Sequence, residues 1–205
     1  MATLKKKVSE AKAFVLHSIS WSDNSLIVNV FSREYGLIAG VAKSAKRPYS
    51  VLRPINAHFQ PLLVSWSGSG ELKTITKVET NGFYCIPERA LMSAWYLNEL
   101  ILRGVAKEDP HEKLFDCYED ALLGLVSDTD PRIVLRRFEW QWLCEIGYGL
   151  DSAEPDFYDL KKEPELRNEL RLNISKALNR STLNVRENLN HLSKLIATRS
   201  HTEDT

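Results

Sequence analysis

The hydrophobic rhythm of the chain changes near residue 80, from alternation to helical spacing, and that change limits the fold more than any other feature of the sequence. Side chains alternate between the two faces of a strand but recur every third or fourth position on one face of a helix. A chain that keeps the first period early and the second later is predicted to be α+β, with strands and helices segregated. Ala13–Ser18 (AFVLHS) and Ser25–Ser32 (SLIVNVFS) read as the first two strands. The second places Leu26, Val28 and Val30 on one face and Ile27, Asn29 and Phe31 on the other. Glu34-Tyr35-Gly36 is a hairpin turn in which Gly36 supplies a positive φ. Leu37–Lys43 (LIAGVAK) follows, with Gly40 expected to bulge or bend. Phe59–Trp66 (FQPLLVSW) and Glu71–Glu79 (ELKTITKVE) form a second hairpin around Ser67-Gly68-Ser69-Gly70. Five short strands with a longer excursion after the third fit a five-stranded OB-type β-barrel at the N-terminal side; an SH3-like barrel fits the same periodicity.

From about Pro87 the apolar residues take helical spacing, which predicts an all-α helical domain after the barrel, with domains at 1–80 and 81–205. Leu91–Val105 is apolar on most sides, as a buried central helix is. Asp109 is the expected N-cap of the next helix, with Pro110 in its first turn and Glu112 completing a capping box. The core stripe of that helix is Leu114, Tyr118, Ala121, Leu122 and Leu125. Asp130-Pro131 opens another, with Val134, Leu135, Phe138, Trp142 and Ile146 apolar and Gly147 and Gly149 as its stop. A polar, acidic loop is expected over 151–163, followed by two helices marked by Leu166, Leu170, Ile174 and Leu178, and by Val185, Leu189, Leu192 and Ile196, with a frayed tail from Ser200.

The formal net charge is zero, but it is unevenly distributed. Residues 1–82 hold 11 Lys and Arg against 5 Asp and Glu, and the rest hold 16 against 22, so the two parts carry +6 and −6. That asymmetry points to two surfaces with different partners, the basic one suited to a polyanion. Cys85, Cys117 and Cys144 are widely spaced and form no C-x-x-C pair, which argues against a disulfide scaffold and against a bound metal. No signal-peptide core is readable and no apolar stretch approaches the roughly 18 residues of a membrane span. A cytoplasmic setting without membrane contact is expected.

The sequence offers little to an enzyme. It contains no phosphate-cradling glycine loop, no H-E-x-x-H and no G-x-S-x-G. The five histidines are scattered, and His17 reads as a hydrogen-bonded, half-buried strand residue. No catalytic residue and no cofactor are assigned. The cations are better organised. Lys43, Lys46, Arg47 and Arg53 cluster in VAKSAKRPYSVLR between the third and fourth strands, with Tyr49 among them. Lys73 and Lys77 are four apart on a strand, which places both on one face with Ile75. Trp21 in the first connector can reach the same surface, whereas Trp66 reads as core, and Lys5-Lys6-Lys7 adds charge at the start. Cations for phosphate and rings for stacking are what a nucleic-acid site on an OB barrel requires. On the third helix, Arg136 and Arg137 stand beside Phe138 and Trp142. They are either a solubilising surface pair or the cationic rim of an apolar groove for an acidic peptide.

Several segments taken together resemble a known family. Phe14–Ser50 (FVLHSISWSDNSLIVNVFSREYGLIAGVAKSAKRPYS) is similar to the N-terminal signature of the RecO family, with its V-L-H strand, E-x-G turn and A-K-G-A-R loop. Pro61–Glu79 resembles the second hairpin of that family; Tyr96–Ile101, Leu114–Leu122 and Leu135–Leu150 resemble its helical motifs. The resemblance implies an OB domain followed by a helical domain, and binding of single- and double-stranded DNA with annealing of complementary strands. It further implies partnership with RecR and with the C-terminal tail of the single-strand DNA-binding protein, so that recombinase is loaded during DNA repair in the bacterial cytoplasm, at the nucleoid. The sequence departs from the pattern in two places. Ser44 stands where A-K-G has glycine, and DSAEPDFYD (residues 151–159) lacks the cysteine cluster of many members, so the family's zinc-finger segment is expected to be absent and the C-terminal part to be short. Two other readings remain open: an RNA-binding OB-fold protein, and an adaptor that binds no nucleic acid.

Overall fold

A computed structural model describes residues 7–127, 129–149 and 153–178. Lys5, Lys6, the helix expected over Val185–Ile196 and the tail from Ser200 lie outside the described residues. Five strands, β1 (Lys7–Trp21), β2 (Ser25–Ser32), β3 (Gly36–Ala42), β4 (Leu62–Ser67) and β5 (Leu72–Thr80), close into a barrel in the order β1-β2-β3-β5-β4. β3 and β5 pair in parallel and the other neighbours antiparallel. A closed five-stranded barrel followed by helices is an OB-type barrel with a helical domain, as expected. Four helices follow: α1 (Leu91–Gly104), α2 (Glu112–Val126), α3 (Pro131–Glu145) and α4 (Glu163–Ala177).

β1 is much longer than the six residues expected, because its two halves serve different neighbours. Lys7–Ala13 pairs with β4 and Ala13–Trp21 with β2. Irregularities between Val8 and Ala11 and between Val15 and His17 bend the strand so that it turns the barrel corner. The polar stretch SEAK disguised the first half in the sequence. Gly40 is not a bulge: it keeps register with Val28 and with Lys73, and a Cβ there would come within 2.7 Å of Ile75 Cδ1. The barrel interior is filled by Val15, Val28, Val30, Ile38, Val64, Trp66, Ile75 and Val78 among others. Each contributes roughly 1.5–3 kcal/mol relative to exposure.

A second core joins barrel and helices. Phe14, Leu16, Phe31, Leu37 and Phe59 leave the barrel outward and pack with Leu97, Ile101, Leu114, Phe115, Tyr118, Phe138 and Trp142. Leu16 falls at the register shift of β1 and has no partner residue on β2, and Asn98 of α1 donates to its carbonyl at 2.9 Å. Tyr118 in turn donates to Asn98 Oδ1 at 2.6 Å, and burial raises its phenol pKa far above the usual range. A buried carbonyl without a donor would cost about 1–3 kcal/mol, so Asn98 fixes where α1 sits on the barrel.

Asp130 caps α3 as expected, accepting from the Arg132 amide at 2.9 Å. Asp109 does not cap α2; the cap position is His111, which makes no side-chain cap bond. The segment before α2 is held by the barrel instead: the Glu108 amide donates to the Leu37 carbonyl at 3.0 Å, and Lys107 bridges to Leu37. Gly36, at φ +68°, makes this possible, since a Cβ there would collide with the Asp109 backbone. Across the same seam Arg33 donates to both oxygens of Asp116, at 2.8 and 3.0 Å, and lies 2.7 Å from Glu112. The hydrogen bonds from Arg33 hold the Asp116 carboxyl below its usual pKa.

Candidate nucleic-acid interface

One end of the barrel is built from the turn between β1 and β2 and from the long loop after β3. Three hydrogen bonds tie these segments together. The Lys46 amide donates to the Asn24 carbonyl at 3.1 Å, the Ser44 amide to Ser25 Oγ at 3.3 Å, and Lys46 Nζ to Ser20 Oγ at 2.8 Å. Ala45, Leu52 and Ile55 are buried in the barrel core and anchor the loop on both sides. Between the anchors Lys46, Arg47, Tyr49 and Val51 stand in solvent, Tyr49 at 99% exposure. Lys43 and Arg53 are exposed beside them, and Arg53 Nη1 donates to the Pro48 carbonyl at 2.8 Å. Among the described residues none of Lys43, Lys46, Arg47 and Arg53 pairs with a carboxylate, and Asp23 is the one acidic residue in the two segments. Cations whose field is not neutralised locally are what a phosphate backbone requires. Trp21, the last residue of β1, is 57% exposed beside the turn that leads into β2.

Ser44 occupies a left-handed conformation, φ +59°, where glycine is at ease and serine is strained. That accounts for a glycine being the usual choice in the A-K-G pattern.

Beyond this tip the outer face of the barrel is open and mostly apolar. Ile19, Ile27, Val41 and Thr74 lie side by side across β1, β2, β3 and β5, and His17, Asn29, Ala39 and Leu72 form the next row. Ile19, Leu72 and Thr74 are exposed, and so is His17, in place of the half-buried position expected for it. Sequence reasoning missed this face because both faces of β2 and β3 are apolar, so alternation does not tell inside from outside.

Lys73 and Lys77 do not share a surface. The register steps from Lys77 opposite Ser65 to Ile75 opposite Trp66, which makes Thr76 an extra residue and inverts the parity before it. Lys73 is 5% exposed, its ammonium donating at 2.8 Å to the Gly70 carbonyl and to Glu108. Lys77 is exposed but lies 2.8 Å from Glu79 and 3.2 Å from Glu10, whose hydrogen bonds raise its pKa.

The helical candidates also separate. Arg136 is 6% exposed, between Glu139 at 2.6 Å and Glu163 at 2.8 Å, so it fastens α4 to α3 and is not available as a rim. Tyr96 donates to Glu139 at 2.7 Å, and burial pushes the Glu139 carboxyl above its usual pKa. Phe138 and Trp142 are fully buried, the Trp142 indole donating to the Leu100 carbonyl at 3.0 Å; both are core, where an exposed groove was expected. Arg137 is exposed, 4.0 Å from Asp120. It borders a cavity of about 320 Å³ shared with Cys117, Phe138, Glu154, Phe157 and Tyr158. Burial pushes the Cys117 thiol up to about 12. Among the described residues no group of three His, Cys, Asp or Glu side chains converges on a metal position, and no helix is long and apolar enough to cross a membrane.

The fold and the cationic barrel end define a class: an OB-type barrel carrying a helical domain. Comparison with known proteins narrows it. Residues 6–84 match the family described as recombination protein O N terminal, and residues 89–154 match recombination protein O C terminal. The DNA repair protein RecO of Aromatoleum aromaticum is 48% identical over 147 residues, covering 71% of this chain and 61% of that protein. Those of Azoarcus sp. and Nitrosospira multiformis are 43% and 48% identical, over 72% and 71% of this chain and 61% of each. The chain belongs to the RecO family. It spans about 61% of the length of each of these three relatives. Segment 155–178, which contains α4, lies outside both family matches.

Proposed function

We propose that this chain is a DNA repair and recombination mediator that binds single- and double-stranded DNA, anneals complementary strands and helps load recombinase onto DNA coated by single-strand DNA-binding protein. Its relatives are DNA repair proteins, and the observation that carries the reading is the set of exposed cations, Lys43, Lys46, Arg47 and Arg53, without carboxylate partners among the described residues. Phosphate contacts of this kind position a strand and screen repulsion between two strands while leaving base edges free to pair. Nothing in such a step consumes a nucleotide. RecR is a partner in this reading, and the acidic, hydrophobically ended tail of single-strand DNA-binding protein is a second. The cavity beside Arg137 supports the latter: it offers Phe157 and Tyr158 to an apolar anchor and one guanidinium to a carboxylate. The test is annealing of complementary oligonucleotides by the purified chain without nucleotide. Acceleration over the spontaneous rate is expected. No acceleration, or a strict need for ATP retained through purification, contradicts the reading.

A further inference from the structure

The chain has five tryptophans, and one is placed unlike the rest. Trp66 is buried against Tyr35, ring centroids 5.2 Å apart; Trp95 packs on His58 and Phe59; Trp140 and Trp142 are buried in the helical core. Trp21 has no ring contact among the described residues and is 57% exposed. Its cross-strand neighbour on β2 is Ser25, too small to cover an indole. The backbone around it is specifically held. Ser22, the next residue, sits at φ +54°, and Ser44, after Lys43, at φ +59°. Both are strained for serine, and the bonds from Lys46 and Ser44 to Ser20, Asn24 and Ser25 lock the two segments together. The result is a bare indole on a rigid turn, hydrogen-bonded to a loop of four cations with a single nearby carboxylate at Asp23.

We propose that Trp21 is a base-stacking platform that makes this end of the barrel prefer unpaired DNA to duplex, with Lys43 and Lys46 as its phosphate contacts. This rests on the DNA-binding reading above and names the structural feature that selects among DNA forms. A duplex offers cations its phosphates as readily as a single strand does, but its base faces are already stacked on one another. Only an unpaired base has a free π-face for the indole, and stacking leaves its pairing edge open, as annealing requires. The surrounding charge disfavours a cationic occupant, and a nucleic-acid strand uses both features of this end at once, its phosphates meeting the cations and an unpaired base meeting the ring.

The test compares wild type, Trp21→Ala and Trp21→Phe by fluorescence anisotropy on labelled oligothymidine of about twenty nucleotides and on a duplex of equal length, long enough to span an OB site of about 4–16 nucleotides. Removing one stack weakens oligothymidine binding by about tenfold in Trp21→Ala, while duplex affinity stays within about twofold. Trp21→Phe recovers most of the affinity but loses the quenching of intrinsic fluorescence by oligothymidine. Melting curves of both variants match wild type, because the side chain is outside either core. Equal weakening on both DNA forms, or no change on oligothymidine, overturns the proposal and leaves Trp21 to a protein contact. Wild-type protein that binds neither DNA overturns the DNA-binding reading itself, a result separable from any effect of the variants.

Discussion

At the seam between barrel and helices, Arg33 spans Asp116 and Glu112, and Lys73 bridges Gly70 and Glu108; at the barrel tip Lys43, Lys46, Arg47 and Arg53 meet no carboxylate among the described residues. The two regions hold the same residue types and similar numbers of charges. What separates them is burial and pairing. A seam cation has its field cancelled by neighbours and holds elements in place, whereas a tip cation keeps its field and is available to phosphate. Arg136 and Arg137 differ in the same direction one residue apart on α3, the first buried between two glutamates and the second exposed at a cavity edge with a single long contact, 4.0 Å, to Asp120. Substitution at a paired cation should therefore cost stability, and substitution at an unpaired one should cost binding.

The largest effect expected is at Arg136. Alanine there leaves Glu139 and Glu163 buried without their cation and lowers the unfolding free energy by about 3–5 kcal/mol, read from urea denaturation. A loss below about 1 kcal/mol would place Arg136 among surface pairs and erase the contrast. Next is Arg137→Ala, which is expected to weaken an acidic peptide with an apolar end by about tenfold with the melting temperature unchanged. Anisotropy titration alongside a melting curve checks this, and a shifted melt with unchanged peptide affinity makes Arg137 structural. Smaller still is Ser44→Gly, which removes left-handed strain at the tip and should raise stability by about 1 kcal/mol, visible as a higher denaturant midpoint. If the midpoint falls, the serine conformation carries no strain.

The smallest expected effect is on pH dependence at the seam. His58 packs on Trp95 and Phe59, and burial lowers its pKa, so the folded protein favours the neutral ring. With the folded pKa below the unfolded one, stability is complete above about pH 6.5 and is lost as pH falls through the depressed value. His58→Phe should flatten the urea midpoint between about pH 7 and pH 5 relative to wild type. Parallel curves for the two proteins would show that His58 does not titrate there.

Much of the fold was readable from the residues alone. Alternation in Ser25–Ser32, the Gly36 turn and the Asp130 cap are local signals and appear where local physics puts them. The errors share one cause, dependence on distant residues. Lys73 left the Lys77 surface because Thr76 bulges against β4, a pairing that spacing within β5 does not reveal. Asp109 failed to cap α2 because β3 holds the preceding residues through Leu37. Phe138 and Trp142 looked like a groove because one helix face alone does not show that α1 and α2 cover it. The exposure of the loop cations was legible because a charge in a polar loop needs no partner to place it in solvent.

Single-stranded DNA is expected to meet the protein at the cationic barrel tip and not at its paired cations. The decisive measurement is the salt dependence of oligothymidine binding by wild type and by Lys43→Ala/Lys46→Ala/Arg47→Ala, with Lys77→Ala as the paired-cation control. Removing one cation that neutralises a single-strand phosphate lowers the log–log slope by about 0.7, so the triple variant should fall by about 2 in slope and Lys77→Ala by almost nothing. A folded triple variant with the wild-type slope would contradict this placement and move the DNA off the barrel tip.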